Sequence, residues 1–337
     1  MNQIMHRIKQ GLTLPLAALA LVVTSLSFSI FTDAEVMAAP IHMQIVAMPH
    51  PDDEHQAWSL IEGSSGNYKV FVYFTRGEQS AYCANPSLQT HWNEVSPSVL
   101  PNAKWSTQCH NARISSTLGF LNTMSQTDSA IPGGFSMSRS TTVWPNSQGK
   151  SLGHVDAGST LIQDSSAKVF YSSSEPFASN NSAKGRVIFF NLGDGDLTKD
   201  EVDWAIRSIR DNPSLYGLPS IPFYNIVGPY RNARYSNCYH YDHGDHRAIH
   251  QSLWNTNFNV SWQAGATCAS DPDVKRTGTV SDYGWFNAVG MNGYTRIGAL
   301  ERHYGWLNSN DFGWSASADQ NGYKIFNKTQ QFWVRNW

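Results

Sequence analysis

The sequence predicts an α/β protein built on a mostly parallel sheet, and three observations support that fold class. An apolar run at 43–48 is followed by a helical segment at 54–61 and a second β-rich run at 69–74. Strand, helix and strand within about thirty residues form a βαβ unit, which implies parallel strands. Strands and helices keep alternating further along, and no repeat or linker divides the chain. We therefore expect one α/β domain with long loop insertions.

The remaining elements are predicted in chain order from apolar periodicity and capping signals. Two strands and two helices have clear patterns: helix 112–124, strand 186–191, strand 221–227 and helix 245–258. Thr198 and Glu201 form a capping box that begins a further helix, which ends near Arg210. The segments 81–108 and 125–185 are rich in small polar residues, and we expect loops and short strands there.

Composition limits the class of protein. Of the 337 residues only 15% are charged, 12% are aromatic and 41% are hydrophobic, and the formal net charge is −2. Without a basic excess the chain has no field that attracts nucleic acid or anionic lipid. These values exclude a disordered chain, a coiled coil and a polytopic membrane protein.

The first forty residues have the pattern of an export signal. A short positive start precedes an apolar stretch at 12–30, and small residues around Ala38 fit a cleavage site. The alternative is an uncleaved anchor, because the apolar stretch approaches the length of a membrane span. We expect a signal peptide at 1–38, export from a bacterial cell, and a single mature domain at 39–337 that contains no membrane span.

Export changes the interpretation of the four cysteines. In an oxidising compartment an even number of cysteines favours disulfides, and no CxxC spacing indicates a zinc knuckle or a thioredoxin-like site. Of the three possible pairings we expect neighbours in sequence to pair, as Cys83–Cys109 and Cys238–Cys268.

Two polar clusters are candidates for chemistry. The first, PHPDDE at 49–54, directly follows the first predicted strand, and the second, YHYDHGDH at 239–246, lies between a later strand and a helix. The carboxyl ends of parallel strands form the ligand crevice of such a sheet. The two clusters can therefore meet in space despite their separation in sequence.

The residue types match a catalytic zinc site, which takes three nitrogen or oxygen ligands and keeps one position open for water. His50, Asp53 and His246 supply a His₂Asp set. Spacing alone leaves His240 and His250 as alternatives to His246. Zinc is the expected metal, although such a ligand set accepts other divalent ions.

The same clusters supply the other groups of a hydrolase. Zinc lowers the pKa of a bound water to about 7, and Asp52, beside a ligand, is placed to act as the general base. His243 or Tyr241 could stabilise an oxyanion or protonate a leaving amine, and Asp245 could orient an imidazole. The alternative is that the aspartates are ordinary turn and helix-cap residues; two clusters with one shared chemistry favour the metal site.

The acidic segment 194–201 is also a candidate, because its start resembles a calcium loop. The twelfth loop position would be Ala205, where calcium requires a bidentate glutamate. We therefore interpret this segment as a turn and a helix cap. Asp194 could also lie near the crevice, since the strand before it ends at the same edge of the sheet.

The two motifs together resemble the PIG-L/LmbE family of zinc-dependent N-acetylglucosaminyl deacetylases, which is marked by HPDD(E) after the first strand and a later HxDH. Gly244 stands where the family usually has proline. TRGE at 75–78 and ALERHY at 299–304 are also similar to family segments, so the resemblance covers about 43–310. The family's helical arginine is poorly matched, which leaves a substrate-binding role and a surface position both open for Arg113.

The resemblance implies a Rossmann-like sheet and a specific division of roles. The implied roles are zinc ligation by His50, Asp53 and His246, general base catalysis by Asp52, oxyanion stabilisation or proton donation by His243, and oxyanion contact by Tyr241. The expected protein is a secreted hydrolase in which zinc-bound water attacks the amide carbonyl of an N-acyl, above all N-acetyl, amino sugar or glycoconjugate.

Two other functions stay open at the level of sequence. One is an amidase acting on a non-sugar amide, and the other is a non-catalytic extracellular carbohydrate-binding protein. For the deacetylase, the expected partner is a small-molecule or oligomeric sugar. The sequence leaves the oligomeric state undetermined.

Overall fold

The structure is a computed structural model that describes much of the chain after residue 41. The described residues are 42–57, 60–61, 64, 66–80, 83–84, 103–127, 130–142, 153–155, 161–163, 166–173, 185–230, 243–267, 280–287 and 329–337. The predicted signal peptide, Cys238, Cys268, His240, Tyr241 and the segment 299–304 lie outside these residues.

In the described part of the chain, a nine-stranded mixed sheet forms the centre of the fold, and two short strands form a separate sheet. The strands are β1 Met43–Met48, β2 Tyr68–Tyr73, β3 Phe135–Thr142, β4 Gly153–Val155, β5 Leu161–Gln163, β6 Ser166–Ser172, β7 Gly185–Phe189, β8 Phe223–Tyr230, β9 Trp262–Thr267, β10 Val280–Asn287 and β11 Thr329–Arg335. The large sheet has the order β10-β11-β9-β8-β1-β2-β7-β6-β3, and β4 pairs with β5 in the small one.

The five central strands of the large sheet are parallel. β1 pairs in register with β2 from Met43↔Tyr68 to Met48↔Tyr73, and β7, β8 and β9 continue the parallel arrangement. This confirms the predicted parallel pairing of the first two strands and the α/β class. Both edges are antiparallel, through β6 and β3 on one side and β11 and β10 on the other. The first of these edges comes from the segment in which short strands were expected.

Helices pack on both faces of the sheet. The α-helices with described bounds are α1 Thr107–Thr127, α2 Lys199–Asp211 and α3 Gly244–Asn255. Side chains of α1 share one apolar cluster with alternate residues of β1, β2 and β7, whereas α2 and α3 share the other cluster with the intervening residues. The period-two alternation of a strand thus divides the core into two layers. None of the described helices is both long and apolar enough to cross a membrane.

Local sequence signals set several of the element boundaries. Thr198 accepts a hydrogen bond from the Glu201 backbone while the Glu201 side chain bonds back to Thr198, so the predicted capping box is confirmed. The predicted helix at 54–61 instead begins as a short 3-10 helix, Asp53–Ala57. Its first side chain is used in the turn, because Asp53 accepts from the Gln56 amide at 2.6 Å.

The sheet reverses its winding at β1. From β1 the chain order proceeds to β2 and β7 on one side and to β8 and β9 on the other. Ligands of open α/β sheets bind at such a switch point, outside the carboxyl ends of the strands. β1 and β8, which precede the two predicted clusters, are direct neighbours there.

One disulfide joins the segment after β2 to α1. Cys83 and Cys109 are bonded, with 26 residues of sequence separation, which confirms one of the two expected pairs. Replacing both with serine should lower the free energy of unfolding by about 3 kcal/mol, because the unfolded chain regains the freedom of a long loop. Denaturant titration of the oxidised protein and of the double variant measures the difference. Equal midpoints would contradict a stabilising role for this bridge.

Candidate metal centre

The turn after β1 is attached to the end of β2. The Pro49 carbonyl accepts hydrogen bonds from the Thr75 backbone at 3.0 Å and from the Thr75 hydroxyl at 2.9 Å. The chain then turns sharply, so that the His50 backbone N–H donates to the Asp53 carboxylate at 3.2 Å. His50 and Asp53 are both buried. The turn therefore presents both side chains at the switch point.

Three buried donor groups converge there. His50 Nδ1 lies 2.9 Å from Asp53 Oδ2, and His246 Nε2 lies 3.3 Å from the same oxygen. One ligand atom from each of the three residues lies within 4.8 Å of the other two. Ligands at 2.0–2.2 Å from a tetrahedral zinc stand roughly 3.3 Å apart. The donor types and spacings therefore fit a zinc ion held by His50, Asp53 and His246.

The other ring nitrogen of His50 faces two carboxylates. His50 Nε2 lies 3.0 Å from Asp245 Oδ2 and 3.1 Å from Asp194 Oδ1. An acceptor at Nε2 keeps the proton on that nitrogen and leaves the lone pair of Nδ1 for a metal. In the absence of metal, burial opposes protonation, but Asp194, Asp245 and Asp53 together raise the pKa of His50 well above its usual value.

Asp194 lies in the site. The sequence allowed two interpretations of it, part of a turn and helix cap or a residue near the crevice. It follows β7, and its Oδ2 accepts a hydrogen bond from the Gln79 backbone at 2.6 Å. Burial opposes ionisation, but His50 outweighs it and lowers the pKa of Asp194 to about 2. The signal that located it was the strand at 186–191, which ends at the same edge of the sheet as β1.

Asp245 and His243 form the start of α3. Asp245 is fully buried and accepts backbone hydrogen bonds from Gly195 at 2.9 Å and from Leu197 at 3.1 Å. Burial opposes ionisation, but His50, followed by the charge of His243 and the Gly195 backbone bond, lowers the pKa of Asp245. Since both oxygens already accept hydrogen bonds, the orienting role expected for Asp245 suits it better than metal ligation. The set of donor atoms formed by His50, Asp194, His243 and Asp245 is therefore the outer support of the centre.

His243 is the N-cap of α3, and Gly244 is the first helical residue. His243 Nδ1 accepts the Asp245 backbone N–H at 3.3 Å, which leaves the proton of a neutral ring on Nε2. Burial, and then the charge of His50, lower the pKa of His243 to about 4. His243 is thus a neutral hydrogen-bond donor next to His50, whose ring centroid is 4.6 Å away. The helix thus begins at Gly244, directly after the His243 cap.

The structure gives His246 and His250 different surroundings. His246 faces Asp53, whereas the two ring nitrogens of His250 are used elsewhere: Nε2 lies 2.5 Å from the Pro229 carbonyl, and Nδ1 accepts from Trp333 Nε1 at 3.1 Å. His250 joins α3 to β8 and β11 and is not placed as a ligand. His240 and Tyr241 lie outside the described residues, so their roles stay predictions.

Arg113 is buried against the first cluster, so a surface position for it is wrong. Its Nη2 donates to the Pro51 carbonyl at 2.7 Å and lies 3.6 Å from Asp52 Oδ2. Its guanidinium passes over Gly77, where an added Cβ would lie 2.3 Å from Arg113 Nε. The glycine of the TRGE segment therefore gives Arg113 the space to reach Asp52.

Glu54 is a fully buried carboxyl beneath the turn. Burial, followed by the charges of Asp52 and Asp53, raises the pKa of Glu54 to about 8. Glu54 accepts the Asp52 backbone N–H at 3.2 Å, so this side chain supports the turn.

Comparison with known proteins identifies only remote likenesses. No protein-family model and no curated protein matches the chain. Among solved structures, a deacetylase triple mutant (Orf2*T) of the teicoplanin biosynthetic pathway is 12% identical, covers 88% of this chain and 98% of its own, and gives a TM-score of 0.43. The teicoplanin complex of a deacetylase from that pathway is 14% identical, with coverages of 88% and 99% and a TM-score of 0.40. Such distant likeness assigns no role to any residue.

Replacing Gly77 with alanine should destabilise the protein and disturb Arg113. Gly77 has φ +64°, and the new Cβ would meet the guanidinium, so we expect a loss of about 1–3 kcal/mol in the free energy of unfolding. Gly66→Ala is the matched control, because nothing lies within 4 Å of its added Cβ. Equal stability of the two variants in denaturant titrations would contradict the packing of Arg113 on Gly77.

Glu54 should make the metal-free protein less stable as the pH rises. The unfolded carboxyl ionises near its ordinary pKa of 4.5, while the folded one stays protonated up to about 8, so stability falls across that window by an amount on the order of a few kcal/mol. Glu54→Gln carries no such proton. In chelator-treated samples, the free energy of unfolding of Glu54→Gln minus that of the wild type should grow from pH 5 to pH 8 and then level off. Parallel stability curves would rule out a neutral Glu54.

Proposed function

We propose that this protein is a secreted zinc-dependent hydrolase that removes an N-acyl group, above all acetyl, from an amino sugar or glycoconjugate. The observation that carries the proposal is the convergence of His50, Asp53 and His246. A further carboxylate, Asp52, stands between His50 and Asp53 on the turn after β1. The fit of these donors to a tetrahedral zinc supports the metal. The family resemblance of the two motifs supports the reaction.

Each residue around the centre has a definable task. When bound, zinc activates a water molecule and polarises a carbonyl. The Asp52 side chain is 18% exposed, so its carboxylate is accessible to take a proton from the attacking water as general base. His243 can donate its Nε2 proton in a hydrogen bond to the oxyanion that forms at the carbonyl. Asp194 and Asp245 fix the orientation of His50.

The expected substrate class rests on the character of the chain and on the motif resemblance. The protein has few charges and many aromatic residues, which suits binding of a weakly charged sugar. Tyr241, which would contact the oxyanion in this proposal, is a further expected participant. The predicted export signal favours a substrate outside the cell.

The ligand assignment is tested by metal content. His50→Ala and His246→Ala should lose zinc in elemental analysis of the purified protein, whereas Asp52→Ala should retain it because Asp52 is no ligand. Asp52→Ala should lower kcat by roughly 10²–10⁴-fold. His42→Ala is the control and should keep both zinc and activity, because His42 lies before β1 with its ring packed against Tyr224.

Equal zinc in the His50, His246 and Asp52 variants would contradict the ligand set, and full activity of Asp52→Ala would contradict the general base. The substrate is tested by release of free amine from N-acetylglucosamine oligomers and from simple non-sugar acetamides. Turnover of the acetamides alone would indicate an amidase. Sugar binding without turnover in the zinc-loaded protein would indicate a binding protein.

A further inference from the structure

The peptide group between Pro51 and Asp52 is held at both of its polar atoms. Its carbonyl oxygen accepts from Arg113 Nη2 at 2.7 Å, and its N–H donates to Glu54 Oε2 at 3.2 Å. Because the peptide group is planar, two hydrogen bonds from opposite sides fix the direction in which the whole plane faces. One partner comes from α1, and the other comes from the short 3-10 helix after the turn.

The orientation of this peptide sets an unusual backbone conformation. Asp52 has φ 98°, and among the described residues other than glycine only Trp105 and Asn259 share a positive φ. Such a conformation is strained for a residue with a Cβ and persists only where the surroundings enforce it. Rotating the peptide plane by about half a turn would bring φ of Asp52 back to ordinary values. It would also break both hydrogen bonds.

Arg113 is buried against this turn. Its side chain is 5% exposed, and the same Nη2 that binds the Pro51 carbonyl lies 3.6 Å from Asp52 Oδ2. It therefore touches both the backbone and the carboxylate of Asp52, and little of its surface remains for a substrate. Gly77 provides the space in which the guanidinium lies.

We propose that Arg113, with Glu54, clamps the Pro51–Asp52 peptide and so directs the Asp52 carboxylate toward the metal centre. Arg113 is then a positioning residue for the general base and not a substrate ligand. The clamp itself is a property of the fold, while its catalytic consequence rests on the proposed function.

The clamp is tested by stability, without any substrate. Asp52→Gly and Asp52→Ala both remove the carboxylate, but only glycine tolerates the positive φ. In the otherwise wild-type protein, Asp52→Gly should therefore melt roughly 2–4 °C above Asp52→Ala. In the Arg113→Met background the peptide is free to rotate, and this difference should disappear. A difference of the same size in both backgrounds, or none in either, would overturn the proposal.

Two further variants keep the test decisive. Arg113→Lys retains a donor that can reach the Pro51 carbonyl, so the difference between glycine and alanine at position 52 should persist in its background. Should Arg113→Met fail to fold, Arg113→Gln replaces it, since its amide is too short to reach Pro51. Loss of the difference in the lysine background and its persistence in the glutamine background would refute a clamp made by Arg113.

The catalytic consequence is tested by a split between kcat and KM. With N-acetylglucosamine oligomers as the probe, Arg113→Met should keep its zinc, lower kcat by about 100-fold and change KM by less than about threefold, because the base is misplaced and the substrate site is intact. A raised KM with an unchanged kcat would make Arg113 a substrate ligand. If the wild-type protein fails to turn over the probe, the proposed function fails, and the melting comparison still decides the clamp.

Discussion

The rest of the site depends on the contacts that the imidazole of His50 makes with three buried carboxylates. Its Nδ1 faces Asp53 on its own turn, and its Nε2 faces Asp194 after β7 and Asp245 at the start of α3. Three separate parts of the chain are therefore joined through one ring. Without that ring, Asp194 and Asp245 would face each other as buried carboxylates, an arrangement that is costly when no counter-charge is near.

The charge balance of the centre explains why it suits a divalent cation. Asp53, Asp194 and Asp245 are buried carboxylates whose pKa values lie below the ordinary value, and Asp52 adds a further carboxylate at the rim. Arg113 brings a positive charge to within 3.6 Å of Asp52. A zinc ion would compensate negative charge of this group. Burial raises the pKa of Glu54 to about 8, so in the metal-free protein this carboxyl adds little charge at neutral pH.

Backbone geometry gives the site its precision. The centre lies where β1 and β8 end side by side, and there Gly77 makes room for Arg113 and Asp52 takes a positive φ. These features cost stability locally, and the surrounding hydrogen bonds hold them in place. The disulfide Cys83–Cys109 fixes the start of α1, from which Arg113 reaches the turn.

The sequence by itself determined the parallel pairing of the first two strands, the capping box of α2, one disulfide pair and the placement of His50, Asp53 and the start of α3 at one edge of the sheet, because each depends on local pattern or on strand ends sharing one edge. Only the tertiary structure selected His246 over His250, since the two differ in which neighbours their rings meet and not in spacing. It alone placed Asp194 against His50 and buried Arg113 behind Asp52. Those contacts join residues far apart in the chain, and no local pattern encodes them.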